Sequence, residues 1–171
     1  MLTLIVRLAQ TRAMIALAIV WAIVFGAILI TMGQLAEATG GSGILDFEVG
    51  YSAERVAAIL GSYGAEGMAL YGRIQLLDLI NPALYSLLLA AITHRLYRDT
   101  GPAWIALVPL LGGLGDYLEN ATLFLIVRAY PELPDGLVGL SSTLSLLKNG
   151  LLVVALLPLI LGLVRLARGR R

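Results

Sequence analysis

The chain contains no cysteine and only one histidine among its 171 residues. Without cysteine it can form no disulfide, no thiolate metal site and no cysteine nucleophile. One histidine is too few for a zinc or haem site that is built on imidazole ligands. We therefore expect neither a metal centre of these kinds nor a cofactor.

Charged residues are also scarce, at 13% of the chain, whereas 59% of the residues are hydrophobic. Soluble domains are typically ~45–50% apolar and ~25% charged. This composition predicts an integral membrane protein whose main partner is the lipid bilayer. The net charge is only +1, which gives no reason to expect a nucleic acid as a partner.

Four apolar segments are each long enough to cross a bilayer as a helix, which takes ~20 residues. They cover about 13–33, 71–97, 103–128 and 137–166. We predict an all-α fold, a polytopic bundle of four transmembrane helices that forms a single domain over 1–171. A cleaved signal peptide is the alternative for the first segment, because Ala36-Glu37-Ala38 resembles a cleavage site.

Within the first segment, Ala18, Ala22 and Gly26 recur at every fourth position. Small residues at this spacing let a second helix approach closely. We therefore predict that this stripe packs against a neighbouring helix.

The loop over 34–66 is the only long polar segment. In it, Ser52 can cap a short helix that stops at Gly61. Val56, Ile59 and Leu60 would give that helix one apolar side. We predict a short amphipathic helix that lies on the membrane surface or across the mouth of the bundle.

Arginine residues flank the spans unevenly. They occur before the first span, in the turn at Arg95 and Arg98, and in the C-terminal tail, which contains Arg165, Arg168, Arg170 and Arg171. Cytoplasmic flanks of membrane spans carry the excess of basic residues. Both termini are therefore predicted to be cytoplasmic.

Polar residues inside the predicted spans are few and are costly to insert. An aspartate at the centre of a membrane helix costs ~2.5–3.5 kcal/mol on the insertion scale. Such groups are kept where they face a protein interior or a wet cavity and have partners. We predict one shared ligand or proton site, formed by Asp78, Tyr85, Asp116, Glu119, Asn120 and Lys148.

Helical spacing groups these residues into stripes. Tyr71, Gln75, Asp78, Pro82 and Tyr85 share one stripe; Gly112, Asp116, Glu119 and Asn120 share a second face; and Ser141, Ser145 and Lys148 share a third. Pro82 lacks an N–H group and so leaves the carbonyl of Asp78 without its helical partner. Either a local break in the helix or an ordinary proline kink satisfies this pattern.

The charges of the predicted site do not balance, because three acids face a single lysine. Closely spaced ionised carboxylates repel one another strongly in an apolar medium. A shared proton, an approach of Arg73 or Arg128, or entry of water would each relieve the repulsion.

Three motifs together resemble a family of small bacterial four-span membrane proteins without an assigned function. They are Asp46-Phe47-Glu48-Val49-Gly50-Tyr51, then Asp78-x-x-x-Pro82-x-x-Tyr85, and Asp116-x-x-Glu119-Asn120. The resemblance implies the four-span fold, a place in the bacterial inner membrane and the location of the site. It implies no activity and no catalytic residue.

Three hypotheses about function remain open from the sequence. The first is a membrane protein that binds a lipid-like ligand or serves as an accessory subunit, in a homo-oligomer or a membrane complex. The second is a small proton-coupled carrier. The third is an isomerase-type enzyme that uses Asp or Glu as general acid and base, and a carboxylate metal site at Asp116 and Glu119 is a minor variant.

Overall fold

The structure is a computed structural model that describes residues 1–168, so Arg170 and Arg171 of the predicted basic tail lie outside the described residues. Residues 1–168 contain helices and no β-strand. The α-helices are α1 (Leu2–Leu8), α2 (Thr11–Ala38), α3 (Ala53–Asp78), α4 (Asn81–Tyr97), α5 (Val108–Ala129) and α6 (Asp135–Arg168). Short 3₁₀ helices occur at Leu45–Phe47 and Ala103–Leu107.

Four helical stretches are long and apolar enough to cross a membrane. They are Thr11–Ala38, Ala53–Tyr97, Ala103–Ala129 and Asp135–Arg168. The prediction of an all-α fold with four long apolar helices is thereby confirmed. The second stretch consists of two helices, because α3 ends at Asp78 and α4 begins at Asn81.

The segment predicted as a separate short helix is the first part of α3. The hydroxyl of Ser52 accepts a hydrogen bond from the backbone N–H of Arg55 at 3.3 Å, which is the predicted cap. The helix does not stop at Gly61 but runs to a kink at Gly64, whose φ of 56° and ψ of −167° are not helical, and α3 resumes after it. Such a backbone conformation is essentially confined to glycine, since a Cβ atom would clash. Val56, Ile59 and Leu60 are buried within the bundle, so the prediction of an amphipathic helix on the membrane surface is not supported.

Helix α4 lies at the centre of the bundle and packs against α1, α2, α5 and α6, whereas α3 packs mainly on α2. Glycines on α5 set the closest approaches. A Cβ atom on Gly113 would lie 3.0 Å from the carbonyl oxygen of Pro82, and one on Gly115 would lie 3.2 Å from the Cα of Lys148. The glycine-rich start of α5 thus lets α4 and α6 pack close to this helix.

Most of the small-residue stripe on α2 makes no close helix contact among residues 1–168. Ala22 is exposed, and a Cβ atom on Gly26 would meet no neighbouring atom within 4 Å. The buried residues of α2 are instead Ile28, Thr31 and Leu35. The prediction of a packed stripe is therefore wrong for Ala22 and Gly26, since α2 presents a different face to α3 and α4, whereas Ala18 is partly buried.

The loop between α2 and α3 folds back into the bundle. Leu45 is fully buried, and Tyr51 is 7% exposed. The hydroxyl of Ser145 on α6 donates to the carbonyl of Glu48 at 3.0 Å, and Tyr63 on α3 donates to the carbonyl of Gly43 at 3.1 Å. These hydrogen bonds place the loop against α3 and α6, beside the polar residues of the bundle.

Candidate functional site

Lys148 is the centre of a buried charge cluster between α5 and α6. Its ammonium group forms an ion pair with Oε2 of Glu119 and lies 3.8 Å from Oδ1 of Asp116. The Glu119 side chain is fully buried, and those of Lys148 and Asp116 are each 12% exposed. The absence of a side chain at Gly115 lets the backbone of Lys148 come close enough for these contacts.

Tyr85 on α4 completes this cluster. Its hydroxyl donates to Oδ2 of Asp116 at 3.1 Å, so the carboxylate lies between a phenol and an ammonium group. Oε1 of Glu119 is buried and accepts no hydrogen bond from the described residues. Four of the six predicted site residues are thus brought together, with two carboxylates for one ammonium group.

Asp78 belongs to a second polar group and forms no ion pair with Lys148 among residues 1–168. Its carboxylate accepts hydrogen bonds from Nδ2 of Asn81 at 2.9 Å and from Nδ2 of Asn120 at 2.7 Å. The expected single site is therefore two neighbouring groups. The physical reason is that α5 presents Asp116 and Glu119 towards Lys148 but turns Asn120 towards the end of α3.

The helical structure is interrupted at Leu79 and Ile80, between α3 and α4. Side chains of α5 donate hydrogen bonds to the backbone carbonyls that have no helical partner there. Pro82 offers no N–H group to the carbonyl of Asp78, which accepts instead from Nδ2 of Asn120 at 3.3 Å. The carbonyl of Leu79 accepts from the hydroxyl of Tyr117 at 2.9 Å. Of the two alternatives for Pro82, the structure shows a break that side chains of a neighbouring helix cap.

A cavity of about 750 Å³ lies between α3 and α5. Its polar lining consists of Asp46, Arg73, Gln75, Asp78, Tyr117 and Asn120, and the rest of its wall is mostly apolar. A second cavity of about 630 Å³ adjoins it, since Ala69 and Arg73 line both. Two of the predicted site residues, Asp78 and Asn120, therefore face a space that is large enough for a ligand.

Asp46 is a member of this site that the sequence analysis did not include. Tyr71 donates to its Oδ2 at 2.6 Å, and the carboxyl is partly buried beside the cavity. Removal from water raises the pKa of Asp46 to about 6, with smaller contributions from the negative charges of Asp78 and Glu119. The only signal for this residue was its place in the first motif of the family resemblance.

A chain of hydroxyl groups connects the loop to α5 and α6. The hydroxyl of Tyr51 lies 2.6 Å from Oγ of Ser141, which in turn lies 2.8 Å from Oγ1 of Thr122. Thr122 donates to the carbonyl of Glu119 at 2.8 Å. Burial raises the pKa of Tyr51 to about 12, so this phenol stays neutral at pH 7.

The carboxylate metal site considered at Asp116 and Glu119 is not supported by the arrangement of side chains in residues 1–168. No group of three histidine, aspartate or glutamate side chains comes together there in an arrangement that could hold an ion. The carboxylates of Asp116 and Glu119 both face the ammonium group of Lys148.

Comparison with known proteins adds no relative. No protein-family model, no curated protein and no solved structure matches the chain. The contacts, burial and charges of the site are accordingly the basis for a functional proposal.

Proposed function

We propose that this chain is an integral membrane protein that binds a lipid-like ligand in the cavity between α3 and α5. The observation that carries the proposal is the cavity itself, which lies between α3 and α5, has mostly apolar walls and carries polar groups that include Asp46, Asp78 and Asn120. A role as an accessory subunit of a membrane complex is compatible with the same site.

The outer surface of the helices supports the location in a membrane. Large apolar side chains are exposed along α2 and α6, with Ile23 at 67%, Ile30 at 67% and Val153 at 63%. Soluble proteins rarely expose contiguous apolar patches larger than a few hundred Å². Lipid chains around these helices would remove that surface from water.

The positions of the arginines support an orientation with both termini in the cytoplasm, in a protein of the bacterial inner membrane. Reporter fusions test this topology directly. Fusions at Gly41 and Gly136 should report the outside, and a fusion in the turn at Arg98 should report the cytoplasm. A cytoplasmic signal at Gly136 would contradict the proposed orientation.

The cavity has the properties of a small-molecule site. Ligand pockets typically enclose ~300–1,000 Å³ and combine apolar walls with a few polar groups. Leu76, Leu79 and Phe124 line this cavity and are 67%, 57% and 45% exposed. An apolar ligand chain in the cavity would therefore be continuous with the surrounding lipid.

Native mass spectrometry of the protein in a mild detergent tests the proposal. Wild type should retain a lipid-sized ligand, and Ala121→Trp should lose it because the new side chain fills the cavity that Ala121 lines. Leu125→Trp is the matched control, since Leu125 is 51% exposed on the same helix outside the cavity lining. Equal ligand retention in both variants would refute binding in this cavity.

A proton-coupled carrier is the second candidate, and one observation favours it. Asp46 lines the cavity together with Asp78 and has a pKa raised to about 6, within the range in which protons exchange near neutral pH. Infrared spectroscopy should then show a carboxyl band that titrates in wild type and disappears in Asp46→Asn. An unchanged band in that variant would exclude Asp46 as the proton carrier. An isomerase-type enzyme would need the same accessible carboxyl group as its general acid or base.

A further inference from the structure

We propose that the ligand of the cavity is an amphiphile with an amine headgroup, whose ammonium group faces Asp46 and Asp78. This inference rests on the proposed function, because it specifies the class of ligand for the same cavity. It follows from the charges of the lining, from the unused hydrogen-bonding capacity of its side chains and from the apolar walls on either side.

The charge of the cavity is the first argument. Two carboxylates, Asp46 and Asp78, and one guanidinium group, Arg73, line the main cavity, and the adjoining cavity adds Glu37 and Glu66. Arg73 forms no ion pair within residues 1–168. Acidic groups therefore outnumber the basic group, so a cationic headgroup is attracted while an anionic one is repelled.

Hydrogen bonding is the second argument. An ionised carboxylate has about four acceptor positions, and Asp78 uses two of them for Asn81 and Asn120. The hydrogen bonds within residues 1–168 occupy only one oxygen of Asp46. An ammonium group brings three N–H donors and no acceptor, which complements these free acceptor positions.

Hydrogen-bond donors that line the same cavity suit the phosphate and ester oxygens of an amine-containing phospholipid. Nε2 of Gln75 is buried and has no hydrogen-bond partner in residues 1–168. Arg73 lies where the two cavities meet. These two groups could hold the phosphate or ester oxygens of a phospholipid, while its chains lie along Leu76 and Phe124.

Lipid titrations monitored by native mass spectrometry provide the test. The probes are phosphatidylethanolamine and phosphatidylglycerol with identical acyl chains, added to delipidated wild-type protein. We expect phosphatidylethanolamine to bind about tenfold more tightly, the factor that one charge-assisted hydrogen bond supplies. Asp46→Asn should reduce this preference, since the amide can still accept from Tyr71 but carries no charge.

An exchange variant separates charge from structure at Asp78. Asp78→Asn removes the charge and should reduce the preference for the amine lipid. In the double variant Asp78→Asn/Asn120→Asp, the new amide can accept from Asn81 and donate to the new carboxylate. The cavity then regains its charge and both side-chain hydrogen bonds of residue 78, and only the bond from residue 120 to the carbonyl of residue 78 is lost. The preference should therefore return.

A further arm distinguishes phospholipids from simple alkylamines. If the phosphate contacts Arg73, Arg73→Gln should weaken the binding of phosphatidylethanolamine several-fold. A long-chain alkylamine should bind as tightly as before or more tightly, because the cavity loses a positive charge. If Arg73→Gln weakens neither ligand, the site recognises the amine alone, which still supports the proposal.

The proposal and the proposed function fail in different ways. Equal binding of the two phospholipids by wild type would overturn the amine headgroup while leaving lipid binding in place. A failure of the double variant to restore the preference, in protein that elutes as wild type, would also overturn it. Binding that Ala121→Trp does not reduce would refute the cavity itself.

Discussion

Replacing Lys148 by methionine tests the buried charge cluster most directly. Methionine keeps an unbranched chain of similar length but removes the ammonium group that faces Glu119 and Asp116. Removing one member of a buried ion pair leaves the other charge uncompensated and typically costs ~3–5 kcal/mol. Because Glu119 is fully buried, we expect Lys148→Met to lower the free energy of unfolding by about that amount.

Second substitutions should restore stability in an order that the geometry sets. Glu119→Gln removes the carboxylate that pairs with Lys148 and should recover ~1–3 kcal/mol in the Lys148→Met background. Asp116→Asn should recover less, since Asp116 lies 3.8 Å from the ammonium group and retains Tyr85. Asp78→Asn should be additive within ~0.5 kcal/mol, because Asp78 belongs to the other polar group.

The measurement is equilibrium unfolding in mixed detergent micelles, followed by the fluorescence of the two tryptophans. Each pair gives a double-mutant cycle, and only contacting residues should show a coupling energy. Additive effects for all three acids would mean that the ammonium group of Lys148 is hydrated rather than paired. A larger recovery with Asp78→Asn than with Glu119→Gln would refute the assignment of partners.

Three further predictions concern a carboxyl group and two glycines. The folded state raises the pKa of Asp46 from 3.8 to about 6. The free energy of unfolding should therefore fall by about 2–3 kcal/mol as pH rises through that interval. Unfolding measured at a series of pH values should show this fall in wild type and not in Asp46→Asn. Gly113→Ala should destabilise by ~1–3 kcal/mol, because its Cβ would lie 2.9 Å from the Cβ of Ser86. In the same unfolding assay Gly150→Ala, which has open space, should be neutral or stabilising, and equal effects of the two would refute the close approach of α5 to α4. Gly64→Ala should cost ~1–3 kcal/mol through its backbone conformation alone, and an unchanged midpoint would show that α3 is not interrupted there.

The sequence by itself determined the features that depend on local composition and periodicity. Four apolar segments of sufficient length predicted the four long helices, and Ser52 marked the start of α3. The rarity of polar residues in those segments located Lys148 and the acids around it.

Only the tertiary structure decided which polar groups meet. Residues 116 to 120 span little more than one turn of α5, and a modest rotation of that helix decides whether Asn120 faces Lys148 or the end of α3. The sequence pattern placed them on one face, whereas packing against two different helices separates Asp116 from Asn120. Helical spacing defines the relative directions of side chains but not the neighbour that each direction meets.

The largest difference between the sequence prediction and the structure concerns the loop between α2 and α3. Local composition indicated a surface segment, yet its position depends on contacts with residues far along the chain, such as Tyr71 with Asp46 and Ser141 with Tyr51. Those contacts bring a second carboxyl group, beside that of Asp78, to the cavity. Because they form only after the helices have packed, helical spacing could not place Asp46 in the site, and its place in the first motif of the family resemblance was the only signal.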